Sequence, residues 1–374
     1  MKKRAVKILV IVSQLNRGGL ESRLMDIIRN LDFSRIQMDI YTCRIEEGIL
    51  DQEAKSYGCK IFYNKPLTVK NMFEYVHYFA AFLKKHPEYK IVHAHQDAWC
   101  SVFCKGAKLA GVPVRIAHSR TSIASVSLGN LAKNIIKIPA KKYATHYFAV
   151  SDYAGEWLFG RKNAAKGKVQ IWPNAIECKK FEFNEEQRER KREELGIKEK
   201  LVILHVGNFT PFKNHEKVIR VFYEVSKKRR DAVLILVGKE STLNARALAK
   251  ELHLMKRIKF LGVREDINEL LWAADVFLFP SIFEGMPGAV IEAQAAGLPC
   301  LVSDTVTKQI CITPLVTLFS LKLSDKQWAK KLLEIHKVGR SNQIKAMREK
   351  GFDAETLVER LTKFYESVAQ KERD

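Results

Sequence analysis

SIFEGMPGAVIEAQAAGLPCLVSD, residues 281–304, follows the apolar run VFLFP at 276–280 and ends in a second apolar run at 300–302. The order is strand, glycine-bearing loop, helix, strand, which is the repeating unit of a parallel sheet. Gly285-Met286-Pro287-Gly288 lead into a helix carrying Glu292, and Glu284 stands in the loop before them. Glycines at a helix start bare successive N–H groups at the positive end of the helix dipole, a place suited to a diphosphate. Glu292 offers both carboxylate oxygens to a vicinal diol such as a ribose. Its neighbours Ala289, Val290, Ile291, Ala293, Ala295 and Ala296 are apolar, and a carboxylate in a mostly buried helix needs partners. Glu284, at the loop mouth, can accept from sugar hydroxyls or backbone amides. The plain alternative is a helix with an exposed glutamate.

The same rhythm runs outward in both directions. Short β-branched runs at 6–12, 38–42, 60–63, 91–93, 114–117, 147–150 and 169–171 alternate with amphipathic stretches such as 20–31, 69–84 and 99–109. A polar, charge-dense segment, NEEQRERKREELGIKEK, interrupts them, and strands then resume at 201–206, 232–237, 258–260, 276–279 and 300–302. This predicts an α/β chain of two tandem, doubly wound parallel-sheet domains. The expected boundaries are 1–178 for the first domain, 179–200 for a linker and 201–353 for the second, with a C-terminal helix at about 354–371 packing back on the first.

At roughly 150 residues per domain, 374 residues also predict two domains. A composition of 47% hydrophobic and 28% charged residues excludes a disordered or collagen-like chain. The net charge is +22, and residues 1–178 hold 28 basic against 14 acidic residues, with none acidic between Asp97 and Asp152. Such a field points to nucleic acid, an anionic membrane or phosphorylated substrates. Nucleic acid is disfavoured, because there is no zinc finger, no RNP-like aromatic strand and no arginine cluster interleaved with aromatics. The seven cysteines, an odd number mostly inside apolar runs, read as reduced, buried thiols of a cytosolic protein. MKKRAVKILVIVSQL imitates a signal peptide, but Lys7 interrupts its apolar run. No stretch approaches the roughly 18 apolar residues of a membrane span. The cytoplasm is the expected location.

Two further segments attract function. Gly18-Gly19, in the loop after the first strand, permit a tight turn in which N–H groups meet an anion. Residues 128–142, LGNLAKNIIKIPAKK, place Lys133, Lys137 and Lys141 at helical spacing with Lys142 adjoining, beside an apolar stripe of Leu131, Ile135 and Ile138. That segment reads either as a solvated lysine face or as an interfacial helix on the inner face of the plasma membrane.

FEGMPGAVIEAQAAGLP, with two glutamates separated by seven residues, strongly resembles the signature of retaining, nucleotide-sugar-dependent glycosyltransferases of family 4. EAQAAGLPCLVSD, ELLWAADVFLFPS and RGGLE look most like the bacterial exopolysaccharide and capsular polysaccharide enzymes. The resemblance implies the GT-B fold, two Rossmann-like domains facing each other across a cleft that closes over the donor. It implies that Glu292 holds the nucleotide's ribose and Glu284 contacts the donor sugar. Gly285, Met286, Pro287 and Gly288 would lie near the sugar and phosphates, Lys213 on the diphosphate, and Val263 and Arg264 near the base. From the first domain, Gly18 and Gly19 would face the phosphates, and His118 would reach the donor sugar or the acceptor. The implied partners are a nucleotide-sugar, with a UDP-sugar the expected donor, and a saccharide or undecaprenyl-diphosphate-linked acceptor. No cofactor or metal is implied, and His93-x-His95 has no matching carboxylate cluster. The chain departs from the family where Asn208 stands for a common arginine, leaving Lys213, Arg17 or Arg120 to neutralise the phosphates, and where Ala175 replaces a linker glycine. The other readings are a nucleotide-sugar epimerase and a catalytically weakened homologue acting as an interaction subunit.

Overall fold

Runs of Val, Ile and Leu without polar alternation suit strands covered on both faces. In the computed structural model, which describes residues 5–16, 18–120, 133–240 and 244–371, those runs form two all-parallel sheets in two compact units. The first unit holds the chain to Ala175 together with everything from Ala354 onward, and the second is Ile176–Asp353.

In the first unit the strands are β1 (Val6–Val12), β2 (Ile36–Thr42), β3 (Ile61–Phe62), β4 (Ile91–Ala94), β5 (Val114–Ser119), β6 (His146–Ala149) and β7 (Val169–Ile171), in the order β3-β2-β1-β4-β5-β6-β7. Side chains of β1 alternate between two cores. Ile8, Val10 and Val12 pack with Leu24, Ile28 and the C-terminal helix Ala354–Lys371, whereas Leu9 and Ile11 pack with Tyr75, Phe79 and Phe103 of helices Met72–Lys85 and Cys100–Leu109. Both faces of the strand are dry, so its sequence has no polar alternation. The C-terminal helix contributes Leu357, Leu361 and Tyr365 to this core, and Arg35 holds its outer face through Glu366 at 2.7 Å and Glu359 at 2.9 Å.

The second unit orders β8 (Leu201–Val206), β9 (Ala232–Val237), β10 (Ile258–Phe260), β11 (Val276–Phe279), β12 (Cys300–Ser303) and β13 (Val316–Phe319) as β10-β9-β8-β11-β12-β13. Strand β13 is absent from the sequence reading. It is a short, half-buried edge strand whose pattern is too brief to register.

Residues 179–200, expected as a linker, are built into the second unit instead. Helix Glu185–Glu194 reads as solvated, yet Lys191 and Arg192 are buried. Arg192 donates to the carbonyls of Ala273, Lys198 and Lys200, and Arg188 to those of Trp272 and Ala274 and to Asp275. Of the seven cysteines, six are buried and all are free, but Cys311 is exposed, against expectation. Cys100 and Cys104 pack in the core, and burial pushes the Cys104 thiol up to about 12.

In each sheet the strand order reverses beside the unit's first strand, between β1 and β4 and between β8 and β11. Loops diverge there at the carboxyl ends and leave a crevice for ligands.

Candidate active site

The crevice of the second unit is made by the loops after β8 and β11. Gly207 has no side chain, so the methylenes of Lys213 lie across it; a Cβ there would stand 3.0 Å from Lys213 Cδ and 3.1 Å from Cε. Lys213 Nζ reaches Glu284 at 2.8 Å and sits 4.6 Å from the centre of the Phe279 ring. Two groups predicted from separate segments are thus one ion pair, about one-fifth exposed on each side.

Hydrogen bonds lace the surrounding loops. Ile282 N–H donates to the Phe212 carbonyl at 2.8 Å, and Asn214 Nδ2 to that of Pro280 at 3.1 Å. Gly238 N–H donates to the Gly262 carbonyl at 2.8 Å. Asn208 accepts the Lys239 N–H through Oδ1 at 2.9 Å, so it ties the β8 and β9 loops together. The loops after β10, β9, β8 and β11 are thus hydrogen-bonded in series along the carboxyl-end rim.

Beyond Glu284, Pro287 is the N-cap and Gly288 the first residue of helix Gly288–Ala295. Space beside Gly288 is open, so its backbone is accessible. Glu292 is half-buried on that helix rather than enclosed. The fully buried polar residue is Gln294, which donates to the Val290 and Ile310 carbonyls and accepts from Thr313. In the loop after β10, Val263 is 58% exposed, whereas the Arg264 guanidinium forks onto Asp266 at 2.8 and 2.6 Å. Arg264 therefore has a structural partner, and Val263 and Glu265 are the exposed residues of this loop.

In the first unit, Gly18 caps helix Gly19–Arg29 in extended backbone. A Cβ on Gly18 would meet Glu21 Oε2 at 2.2 Å, so the carboxylate of Glu21 folds over the helix start. This carboxylate lies at the positive end of the helix dipole, a placement the sequence reading passed over; the signal was a glutamate three positions after the N-cap. Burial raises the Glu21 pKa, opposed by its own backbone N–H and by Arg120.

His118, at the end of β5, is 3% exposed. Its Nδ1 lies 3.0 Å from His93 Nε2, and His93 Nδ1 lies 2.7 Å from the Tyr365 hydroxyl. The His95 ring lies 4.1 Å from that of His93, tilted by 30°. Asp97, with a left-handed φ of 47°, accepts the Arg120 N–H at 2.7 Å and so joins the β4 and β5 loops. His118, Arg120 and Tyr365 line one narrow cleft with Arg23 and Trp172. Burial, then Arg120 and His93, holds His118 well below the usual imidazole range, and burial followed by Arg120 takes His93 to about 3. Burial likewise brings Arg120 down to about 10. These histidines are neutral hydrogen-bonding groups at neutral pH.

Arg17 and Leu131 lie outside the described residues. Lys133, Lys137 and Lys141 do not share one continuous helix. Residues 133–136 are helical, 137–139 turn, and Ala140–Tyr143 form a separate short helix led by Pro139. Pro139 has no N–H to continue the first helix.

Two α/β units, each with a glycine-led helix start beside its switch point, form an architecture suited to phosphate-bearing ligands. The profile for "Glycosyl transferases group 1" matches residues 187–366 and that for "Glycosyltransferase Family 4" matches 17–180. The chain is 30% identical to the putative glycosyltransferase EpsF of Bacillus subtilis over 98% of both proteins. It is 28% identical to the capsular polysaccharide biosynthesis glycosyltransferase CapH of Staphylococcus aureus, over 97% of this chain and 99% of that one. It is 30% identical to the UDP-Gal:alpha-D-GlcNAc-diphosphoundecaprenol alpha-1,3-galactosyltransferase of Escherichia coli, over 59% of each. Among solved structures, Anabaena HepE in complex with UDP-glucose superposes with a TM-score of 0.78 at 18% identity, covering 96% of this chain and 99% of that one. The chain belongs to the family 4 glycosyltransferases and has their GT-B type of fold. It is a glycosyltransferase of the bacterial polysaccharide type.

Proposed function

We propose that the protein transfers a hexose from a UDP-sugar, with retention of anomeric configuration, to a saccharide carried on undecaprenyl diphosphate during exopolysaccharide or capsule assembly. The observation that carries this reading is the Lys213–Glu284 pair at the β8/β11 crevice, beside the open start of helix Gly288–Ala295. Lys213 would exchange its partner for the diphosphate and stabilise charge on the departing nucleotide. Glu284, released from Lys213, would accept from donor-sugar hydroxyls. Glu292 would hold the ribose diol, the backbone of Gly285, Met286, Pro287 and Gly288 would flank the sugar and phosphates, and the loop of Val263 and Arg264 would border the base. From the first unit, Gly18 and Gly19 would serve the phosphates and His118 the donor sugar or the acceptor. The leaving phosphate takes the acceptor's proton as the new glycosidic bond forms on the same face, so no protein nucleophile and no metal is invoked. UDP-glucose in the HepE complex and the lipid-diphosphate acceptor of the Escherichia coli relative support this choice of substrates.

Thermal denaturation with UDP, GDP, ADP and a DNA oligomer tests the donor assignment. UDP at 100 times its Kd stabilises by about 2.7 kcal/mol, and the shift is lost in Lys213→Ala and Glu292→Ala. A shift with DNA alone refutes the reading. Formation of an epimeric UDP-sugar without acceptor would instead establish the epimerase alternative.

The basic segment supports contact with an anionic lipid surface. Ile135 is 63% and Ile138 55% exposed, beside Lys133, Lys141 and Lys142, while Lys137 lies over Trp157 at 4.4 Å. In this reading the protein sits peripherally on the inner membrane face, where its acceptor is. Replacing Lys133, Lys137 and Lys141 with Gln should weaken sedimentation with phosphatidylglycerol vesicles, and unchanged binding rejects the contact.

A further inference from the structure

Tyr365 belongs to the C-terminal helix, and its hydroxyl is buried in the first unit with His93 Nδ1 as its hydrogen-bond partner among the described residues. His93 Nε2 in turn meets His118 Nδ1. The remaining nitrogen, His118 Nε2, is buried with no hydrogen-bond partner among the described residues, and the nearby Trp172 backbone carbonyl favours a proton on the ring. Three neutral groups in a row have two possible directions of donation.

If Tyr365 accepts from His93, its own proton is left buried without an acceptor, and the chain ends with a His118 lone pair turned toward a carbonyl. If Tyr365 donates, His93 accepts at Nδ1 and carries its proton on Nε2. It then donates to His118 Nδ1, and His118 carries its proton on Nε2, facing the carbonyl attractively. The second direction leaves fewer buried groups unmet, and unmet buried groups dominate such balances.

We propose that Tyr365 and His93 form a directional relay that fixes His118 as the Nε2–H tautomer, so that it presents a hydrogen-bond donor to an oxygen of the sugar or phosphate entering the cleft. Tyr365 and His93 are positioning residues and act only through His118. The inference rests on the reading of His118 as a substrate contact and adds which of its nitrogens serves and in which protonation state. It also separates the cluster from a metal centre. Ligand atoms of His93, His95 and His118 all lie within 4.8 Å of one another, but the His93–His118 bond occupies two nitrogens, and the Arg120 cation lines the same cleft.

Proton-coupled nitrogen NMR on the full chain labelled with 15N-histidine reads the tautomers directly. The expected result is Nε2–H for both His93 and His118 in the wild type, with both moving toward Nδ1–H in Tyr365→Phe. The same variant should lose roughly tenfold in kcat, the order of one lost hydrogen bond, with KM for the UDP-sugar changed less than about twofold. An Nδ1–H signal on His118 in the wild type, tautomers indifferent to Tyr365→Phe, an unaltered kcat, or stoichiometric zinc lost in His118→Ala each overturns the relay. Should Tyr365→Phe fail to fold, the wild-type tautomers alone decide. UDP titration of the same samples reports on Lys213 and Glu292 in the other unit, so failure of the donor assignment is seen separately from failure of the relay.

Discussion

At the residue scale, the candidate site depends on positions where a side chain is missing. Gly207 lets Lys213 lie flat toward Glu284, and Gly207→Ala would push the lysine by a few tenths of an ångström. We predict that this variant binds UDP several-fold more weakly, by about 1 kcal/mol, as expected for a misplaced charged contact, while its melting temperature hardly moves. Isothermal titration beside a melting curve checks this; unchanged affinity would mean that the position of Lys213 does not matter. Gly238 differs, because its φ is +145° and a Cβ would lie 2.2 Å from the Gly207 carbonyl oxygen. Gly238→Ala should destabilise the second unit by roughly 2 kcal/mol or more through backbone strain, visible as a lower urea midpoint. Glu284 and Glu292 stand out in the sequence because they lie in one short segment whose order of strand, glycines and helix is local, whereas Lys213 is singled out only by the family resemblance. Glu21 over Gly18 was equally local and was overlooked.

At the scale of elements, helix Glu185–Glu194 inverts its composition. A sequence of ten residues, EEQRERKREE, reads as wholly solvated, yet Lys191 is held by Asp266, Glu194 and Glu269 at 2.6–2.9 Å and Arg192 is sunk among carbonyls. Although burial opposes it, these hydrogen bonds raise the Lys191 pKa. Arg192→Ala removes the donor to several buried carbonyls and one contact of Asp275. It should cost about 3 kcal/mol, as expected for breaking a buried ionic network from one side. Equilibrium denaturation measures it, and a loss below about 1 kcal/mol would mean that water replaces the guanidinium readily. Nothing in the helix's own pattern reveals this, since buried arginine and surface arginine are the same letter.

For the whole molecule, five buried histidines set an acid limit. Burial, acting first, followed by neighbouring cations and imidazoles, lowers His93 to about 3 and His215 to about 4 and holds His95, His118 and His205 well below the ordinary value of 6.5. The unfolded chain therefore binds protons that the folded chain refuses. Stability is complete above pH about 7 and falls as pH drops through 6.5 toward 4, each histidine adding up to about 1.4 kcal/mol per pH unit. Three of the five lie in the first unit and two in the second, so both units should weaken together. Denaturant midpoints between pH 7 and 4 check this, and a flat profile would show that the imidazoles protonate in place.

Sequence alone determined the class of fold, the strands that bury both faces and the Glu–Glu segment that marks the family. Those features are written in local order and in the period of apolar residues, which a chain shows before it folds. Tertiary structure decided the rest. It built the supposed linker into the second unit, laid Lys213 against Glu284 and brought Tyr365 to His93, 272 residues away. These are pairings between distant segments, and their energy comes from burial and hydrogen bonds that exist only once the sheets have assembled.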